Sequence, residues 1–495
     1  MSSHHKLGSG AVIASGIAVM AALSPLAAQT QTSAADQALI TKARGIHERV
    51  ITADTHDDIN PNNFRAECNY TMRLTTQVNL PKMKEGGLDV SFMIAYVGQG
   101  ALTAEGYDSA YRQVIEKMDA VHRLTQVIAP NEIELALTPA DVVRIAKSGK
   151  KVAVIGIENG YGLGMDLERV KEFWTRGGRY MSLAHNGNSQ LADSNSTEAA
   201  NGGIHGGLSP LGKQVIAEMN KWGIMVDISH PSKLANMQAI ALSKAPVIAS
   251  HSAARALANH PRNLDDEQLE AVKKNGGVVQ TVAFATYVKV DDKAAERQAA
   301  ITALNDEFGI VAPARGGGAG GGGRAGGAPG GAGGGGRAGG AAGTAPSGPP
   351  PCSVETPETG TAPQAAPRGG GAGGRGGVNP GLAALTPEKR AEYDKKLEAI
   401  QTKFPVPARA TVSDFVDHID YIVKKIGIDH VGISSDFDGG GGVTGWNSAA
   451  ETFNVTLELV KRGYTEAQIG KMWSGNLLRV WAEVEKVAKQ IQASK

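Results

Sequence analysis

Six apolar runs in this chain end on a residue that can bind a cation or move a proton. They are VITADTHDD (His56, Asp58), VAVIGIENG (Glu158), YMSLAHNGN (His185), IMVDISH (His230), PVIASH (His251) and VGISSDFDG (Asp436). Short apolar runs between polar stretches read as buried strands. A sheet that repeatedly delivers His, Asp or Glu to one end is building a site there. The residue types are those of an oxygen- and nitrogen-ligated metal centre.

Eight strand candidates follow from the same pattern: Val50–Thr55, Leu88–Val97, Lys151–Ile157, Tyr180–Ala184, Gly223–Ser229, Pro246–Ser250, Gly277–Ala283 and His430–Ser434. Amphipathic segments lie between them, among them Ser109–Ile128, Thr138–Ser148, Leu167–Thr175, Leu211–Trp222 and Asp265–Asn275. Alternation of this kind implies a parallel sheet, and eight units suggest a closed (β/α)8 barrel of the TIM type. A doubly wound open sheet is the competing fold. It would gather functional residues at one switch point, whereas here they recur after strands one, three, four, five, six and eight.

The rhythm breaks between the seventh and eighth strands. Gly316–Gly343 is nearly all Gly, Ala and Arg, and Gly369–Gly377 repeats that composition. Such a tract cannot bury enough apolar surface to fold alone. Two helical pieces, Lys293–Phe308 and Pro387–Thr402, flank it and read as a paired arm. The chain begins with a weakly basic His4, His5 and Lys6, then an apolar small-residue run to Ala28, then a polar stretch. This reads as a secretory signal cleaved near Ala28, exporting the protein to the periplasm or outside. The run is short of the roughly 20 strongly apolar residues of a spanning helix. The organisation is therefore a signal (1–28), a first barrel part with strands one to seven (29–290), an insert (291–407), and a second part with strand eight and the C-terminal helices (408–495).

Fifty basic and 49 acidic side chains nearly cancel, which argues against a general nucleic-acid or anionic-membrane surface. The Arg/Gly tract resembles RNA-binding segments, but it lacks aromatic residues and its Arg residues are sparse, so a solvated linker is the expectation. Cys68 and Cys352 are the only cysteines, one in the fold and one in the insert, so a bond between them is possible but not suggested. Neither lies among the candidate ligands, so a thiolate site is not expected.

The residues divide by chemistry. His56 and Asp58, two apart, face the same side of an extended chain and could share one ion. Glu158 follows a buried strand, where a carboxylate is costly unless paired or metal-bound; it could bridge two cations, or cap a helix. His230 and His251 end consecutive strands and can converge on one ion, zinc suiting such mixed donors. A carboxylate at the last strand, Asp436 or its neighbour Asp438, could act as general base and then acid beside a metal-activated water. His185 could stabilise a developing oxyanion. Arg262, in HPRN, could clamp a substrate carboxylate or pair with Asp265 or Asp266.

These residues carry a resemblance to the membrane dipeptidases (renal dipeptidase, peptidase family M19), in a bacterial exported form. The matching segments are ADTHDD, LPKMKEGGLDVSFMIAYV, GIENG, SLAHNGNSQLADS, GLSPLGKQVIAEMNKWGIMVDISH, APVIASHSAARAL with NHPRNL, HIDYIVKKIGIDHVGISSDFDG and GNLLRV. They leave out the signal and the insert. The resemblance implies two zinc ions, one on His56 and Asp58, the other on His230 and His251, bridged by Glu158. It further implies that His185 polarises the scissile carbonyl, Arg262 binds the substrate carboxylate, and Asp436 serves the amino terminus and proton transfer. The implied substrates are free dipeptides, including those with a second D-residue, and for some members β-lactams; a homodimer is implied too. The sequence departs from the pattern at Gly187, where animal members carry Cys, and at Phe284, where a substrate-side Tyr is expected. The insert is also atypical, and no C-terminal lipid-anchor signal is seen.

The alternative enzyme is another binuclear barrel hydrolase acting on an N-acyl amino acid, a β-lactam or a lactone. Those commonly begin with H-x-H, whereas this chain has H-x-D and Glu158. A non-catalytic binding protein is disfavoured because every candidate ligand is present.

Overall fold

The structure is a computed structural model that describes residues 34–310, 351–355 and 380–494. The signal and both Gly-rich tracts lie outside these residues. Eight parallel strands form the central sheet: β1 (Ala53–Asp58), β2 (Val90–Tyr96), β3 (Lys151–Glu158), β4 (Gly178–Ser182), β5 (Met225–Asp227), β6 (Ile248–Ser252), β7 (Val278–Val282) and β8 (Val431–Ser434). Each corresponds to one sequence-predicted strand. They pair in chain order, and the ring closes where Asp58 N–H donates to the Phe437 carbonyl at 2.8 Å. The fold is a (β/α)8 barrel. A short strand, Ile133–Leu135, adds to the start of β3, and a small hairpin, Phe64–Arg65 with Cys68–Asn69, decorates the loop after β1.

Nearly every strand residue is buried, which is why the strands read as continuous apolar runs rather than alternating ones. Inside the barrel, Phe92, Ile94, Val154, Tyr180, Met225, Ile248 and Val278 pack together. Leu477, Val480, Trp481 and Val484 of the last helix, Asn476–Ala493, join that cluster against the strand starts. The helices carry clear start signals. Thr103, Thr138, Ser209, Ser232, Asp265 and Thr411 each accept a backbone N–H from the first turn of the helix they open. This leaves the floor of the barrel apolar and places polar strand ends at the opposite mouth.

The insert differs from expectation in one respect. Its flanking helices, Ala294–Glu307 and Pro387–Lys403, do pair, through Leu304, Ile310 and Tyr393. But Cys352 is bonded to Cys68, with Cα atoms 5.4 Å apart. A short antiparallel bridge between Leu74 and Val354 brings the two together across 284 residues of sequence, a separation that carries no signal of contact. Glu355 then pairs with the buried Lys82 at 2.6 Å and with Arg73 at 2.8 Å. The insert is thus pinned to the loop after β1. Cys352→Ser is expected to lower unfolding stability by about 2–4 kcal/mol. Denaturant unfolding of the variant, and of the wild type with and without a thiol reductant, checks this.

Candidate metal centre

The mouth of the barrel gathers the strand-end residues as the sequence predicts. Glu158, at the end of β3, is the hub. Its Oε1 lies 2.9 Å from His230 Nε2 and 3.4 Å from His251 Nε2, and its Oε2 lies 3.5 Å from His56 Nε2 and 4.0 Å from His185 Nε2. His230 Nε2 and His251 Nε2 are 3.0 Å apart. His56, Asp58 and Asp436 form a further group whose ligand atoms lie within 4.8 Å of one another. Glu158 does not cap a helix: the short helical turn that follows is capped by Asn159.

Two buried carboxylate oxygens here, Glu158 Oε1 and Asp58 Oδ1, make no aligned hydrogen bond among the described residues. Buried polar atoms are normally satisfied, so orphaned acceptors crowded into one spot call for a cation. The donors are nitrogen and oxygen only, since both cysteines are consumed in the disulfide. That set fits zinc and its neighbours in the divalent series.

Electrostatics agree. Burial alone would raise the Glu158 carboxyl, but His56, His185 and His230 hold it well below its usual range. Burial pushes Asp58 up to about 6, with Glu158 adding to the rise. Burial would depress His56, yet Glu158, Asp436 and Asp58 raise it to about 9. Burial lifts Asp436 to about 8. In metal-free protein, then, folded Asp436 and His56 keep protons that the unfolded chain has shed, given ordinary values of 3.8 and 6.5. From above the ordinary histidine value of 6.5 up to about 8, these two groups make the native state bind more protons, so the stability they contribute falls as pH rises. His185, His230 and His251, lowered by burial, act in the opposite sense only where unfolded histidines are still protonated. Thermal unfolding of chelated protein is expected to show this fall, and metal-loaded protein to escape it.

The structure separates the two rival carboxylates of the last strand. Asp438 is engaged by the backbone N–H groups of Gln77 at 2.9 Å and Val78 at 3.2 Å. Asp436 instead faces the cluster, on a backbone with φ of 60°, a left-handed conformation that Asp tolerates. Gly439 packs against both acids: a Cβ there would sit 2.2 Å from Asp436 Oδ1 and 2.6 Å from Asp58 Oδ2. Gly439→Ala is expected to reduce kcat/KM on the order of 10²-fold through misplacement of these groups, with an unfolding midpoint near that of wild type. Steady-state kinetics and thermal unfolding of the variant test it.

Arg262 does not pair with Asp265 or Asp266, which engage Lys233 and Lys425. It is buried, and its guanidinium donates to the carbonyls of Ser229 and His251. The missing hydroxyl at Phe284 has a neighbour that the sequence reading overlooked. Tyr287 stacks on Phe284 with ring centres 4.1 Å apart, and Arg262 lies 5.5 Å from its ring. Tyr96, at the end of β2, was also missed; its ring lies 4.7 Å from that of His185. So strands two and seven lead into aromatic residues where the other six lead into His, Asp or Glu. Position at a strand end was the available signal, but an aromatic there also reads as core.

Residues 40–495 match the membrane dipeptidase family, peptidase family M19. The chain belongs to that family. This M19 metallo-dipeptidase is 26% identical over 423 residues to dipeptidase tcpJ of Claviceps purpurea (strain 20.1), covering 84% of this chain and 72% of the relative. It resembles the crystal structure of the probable dipeptidase PvdM from Pseudomonas aeruginosa with a TM-score of 0.66 and 30% identity, over 91% of this chain and 100% of that one. It shares its fold with a metallo peptidase from Rhodobacter sphaeroides, solved with a phosphinate mimic of the dipeptide L-Ala-D-Ala. There the TM-score is 0.57 and the identity 18%, over 88% of this chain and 99% of the other. The dipeptidase has the family's barrel, and in this chain a disulfide pins the insert to it.

Proposed function

We propose that the protein hydrolyses free dipeptides with two zinc ions, His56 and Asp58 holding one, His230 and His251 the other, and Glu158 joining both. The observation that carries this reading is the convergence of three histidine Nε2 atoms on the two oxygens of one buried carboxylate. Bound zinc supplies a water activated for attack near neutral pH and polarises a carbonyl. The remaining chemistry belongs to the chain. Arg262, buried and fixed by two carbonyls, presents a cation for the substrate carboxylate. Asp436 faces the cluster with its carboxyl free to accept the proton of the attacking water and pass it to the leaving amine. It also meets the substrate's amino group. His185, which burial lowers to about 4, is neutral at working pH and can donate an N–H to the developing oxyanion. A clamp at one end and an acid at the other measure a short substrate.

The Rhodobacter protein's ligand mimics a dipeptide with a second D-residue, which supports tolerance of such substrates here. We also infer export to the periplasm or beyond. The Cys68–Cys352 bond suits an oxidising compartment, and among the described residues no helix is long and apolar enough to cross a membrane.

The test is a substrate panel: L-L and L-D dipeptides, an amino-terminally blocked dipeptide and a tripeptide, each with chelator and after zinc is restored. Zinc-restored cleavage confined to free dipeptides supports the reading. Cleavage of the blocked compound with no cleavage of free dipeptides would favour an N-acyl amino acid hydrolase.

A further inference from the structure

Two of the candidate ligands are held from behind by hydroxyl groups whose own protons are already committed. The register of β1 shifts between Asp54 and Asp57, and at this irregularity the Tyr180 hydroxyl donates to the Thr55 carbonyl at 3.0 Å. The same oxygen lies 2.8 Å from His56 Nδ1. An O–H donates once, so the phenol oxygen accepts from His56, and Nδ1 must carry the hydrogen. The second case is built from different residues. Ser250 Oγ donates to Asp227 Oδ2 at 2.6 Å, and Asp227 Oδ1 accepts the backbone N–H groups of Ser229 and Ser250. Ser250 Oγ is 2.8 Å from His251 Nδ1 and accepts from it. All these groups are buried, so water does not compete for them.

We propose that Tyr180 and the Ser250–Asp227 pair are positioning residues of the metal centre. They place the hydrogen on Nδ1 of His56 and His251 and so commit each Nε2 lone pair to an ion beside Glu158. Nδ1 of His230 has no such partner among the described residues, so this control is confined to two of the three histidines. Metal-binding histidines usually donate their second N–H to a carboxylate, carbonyl or water, and here a phenol and a serine do that work. Tyr180 also packs on Phe92, ring centres 5.9 Å apart, which ties the orientation of His56 to the barrel core.

The inference rests on the proposed metal centre, and its test separates the two. Metal-free wild type, Tyr180→Phe, Ser250→Ala and Ser250→Thr would be titrated with zinc against a chromophoric chelator. Cobalt titrations followed by visible absorption, and the thermal midpoint of each metal-free protein, complete the set. The expected result is a loss of about 10- to 100-fold in affinity for one ion in Tyr180→Phe and in Ser250→Ala, with an altered cobalt spectrum. Ser250→Thr, which keeps a hydroxyl, should stay near wild type. A purely structural role would lower the metal-free midpoint while leaving affinity and spectrum unchanged, and that outcome would overturn the proposal. Wild type that binds no ion would overturn the centre itself, and the positioning role with it. Ser250→Ala removes only one atom, so it keeps the test open if Tyr180→Phe fails to fold.

Discussion

Glu158→Gln is expected to lose metal and to reduce kcat/KM by on the order of 10³-fold or more, with the barrel intact. Glutamine keeps the size of the side chain but loses the charge. In the wild type that charge is maintained against full burial, with His56, His185 and His230 around it. Among the described residues no other carboxylate is paired with all of these histidines, so none is placed to take over the proposed bridge. Metal content after gel filtration, together with kinetics in excess zinc, measures both halves of the expectation. A variant that retains its metal and most of its activity would show that Glu158 is a structural acid beneath the site.

The second large effect is expected at Asp436. Asp436→Asn should reduce kcat by about 10²- to 10⁴-fold, the usual contribution of a positioned acid–base group, with metal content unchanged. Asparagine tolerates the same left-handed backbone, so the φ of 60° adds no new strain. The pH profile supplies the sign. Asp436 must be ionised to accept a proton, so wild-type activity should rise as pH increases through its ionisation. Burial raises that carboxyl to about 8 in the metal-free protein, and bound cations bring it lower. Asp436→Asn should remove this limb and leave a flat residual rate. Asp438→Asn is the comparison: its acceptors are taken by Gln77 and Val78, so its loss should affect stability more than the pH profile.

The strands and most of the candidate ligands were legible because their signals are local. A run such as VAVIGI followed by Glu158 declares both burial and an anomaly in six or seven residues. His230 and His251 declare themselves the same way. What was illegible depends on contacts between distant segments. Tyr180 lies within a buried strand and reads as core, and only the packing of β4 beside β1 brings its hydroxyl to His56. Ser250 and Asp227 look like ordinary small strand residues until they are seen beneath His251. The Cys68–Cys352 bond was not signalled because Cys352 lies in the Pro, Thr and Ser stretch between the two Gly-rich tracts, yet a five-residue described segment, 351–355, returns to the barrel. Arg262 was balanced between a clamp and a surface ion pair. Its burial against two carbonyls excludes the ion pair, which sequence could not do, since Asp265 and Asp266 are nearer in the chain than either carbonyl it contacts.

The measurement that bears most directly on the central claim is a crystal structure of zinc-loaded protein with anomalous data at the zinc edge. Two peaks are expected at the barrel mouth, each about 2.0–2.2 Å from a different Glu158 oxygen. One would be completed by His56 and Asp58, the other by His230 and His251. A single peak away from Glu158, or no peak among these residues, would contradict it.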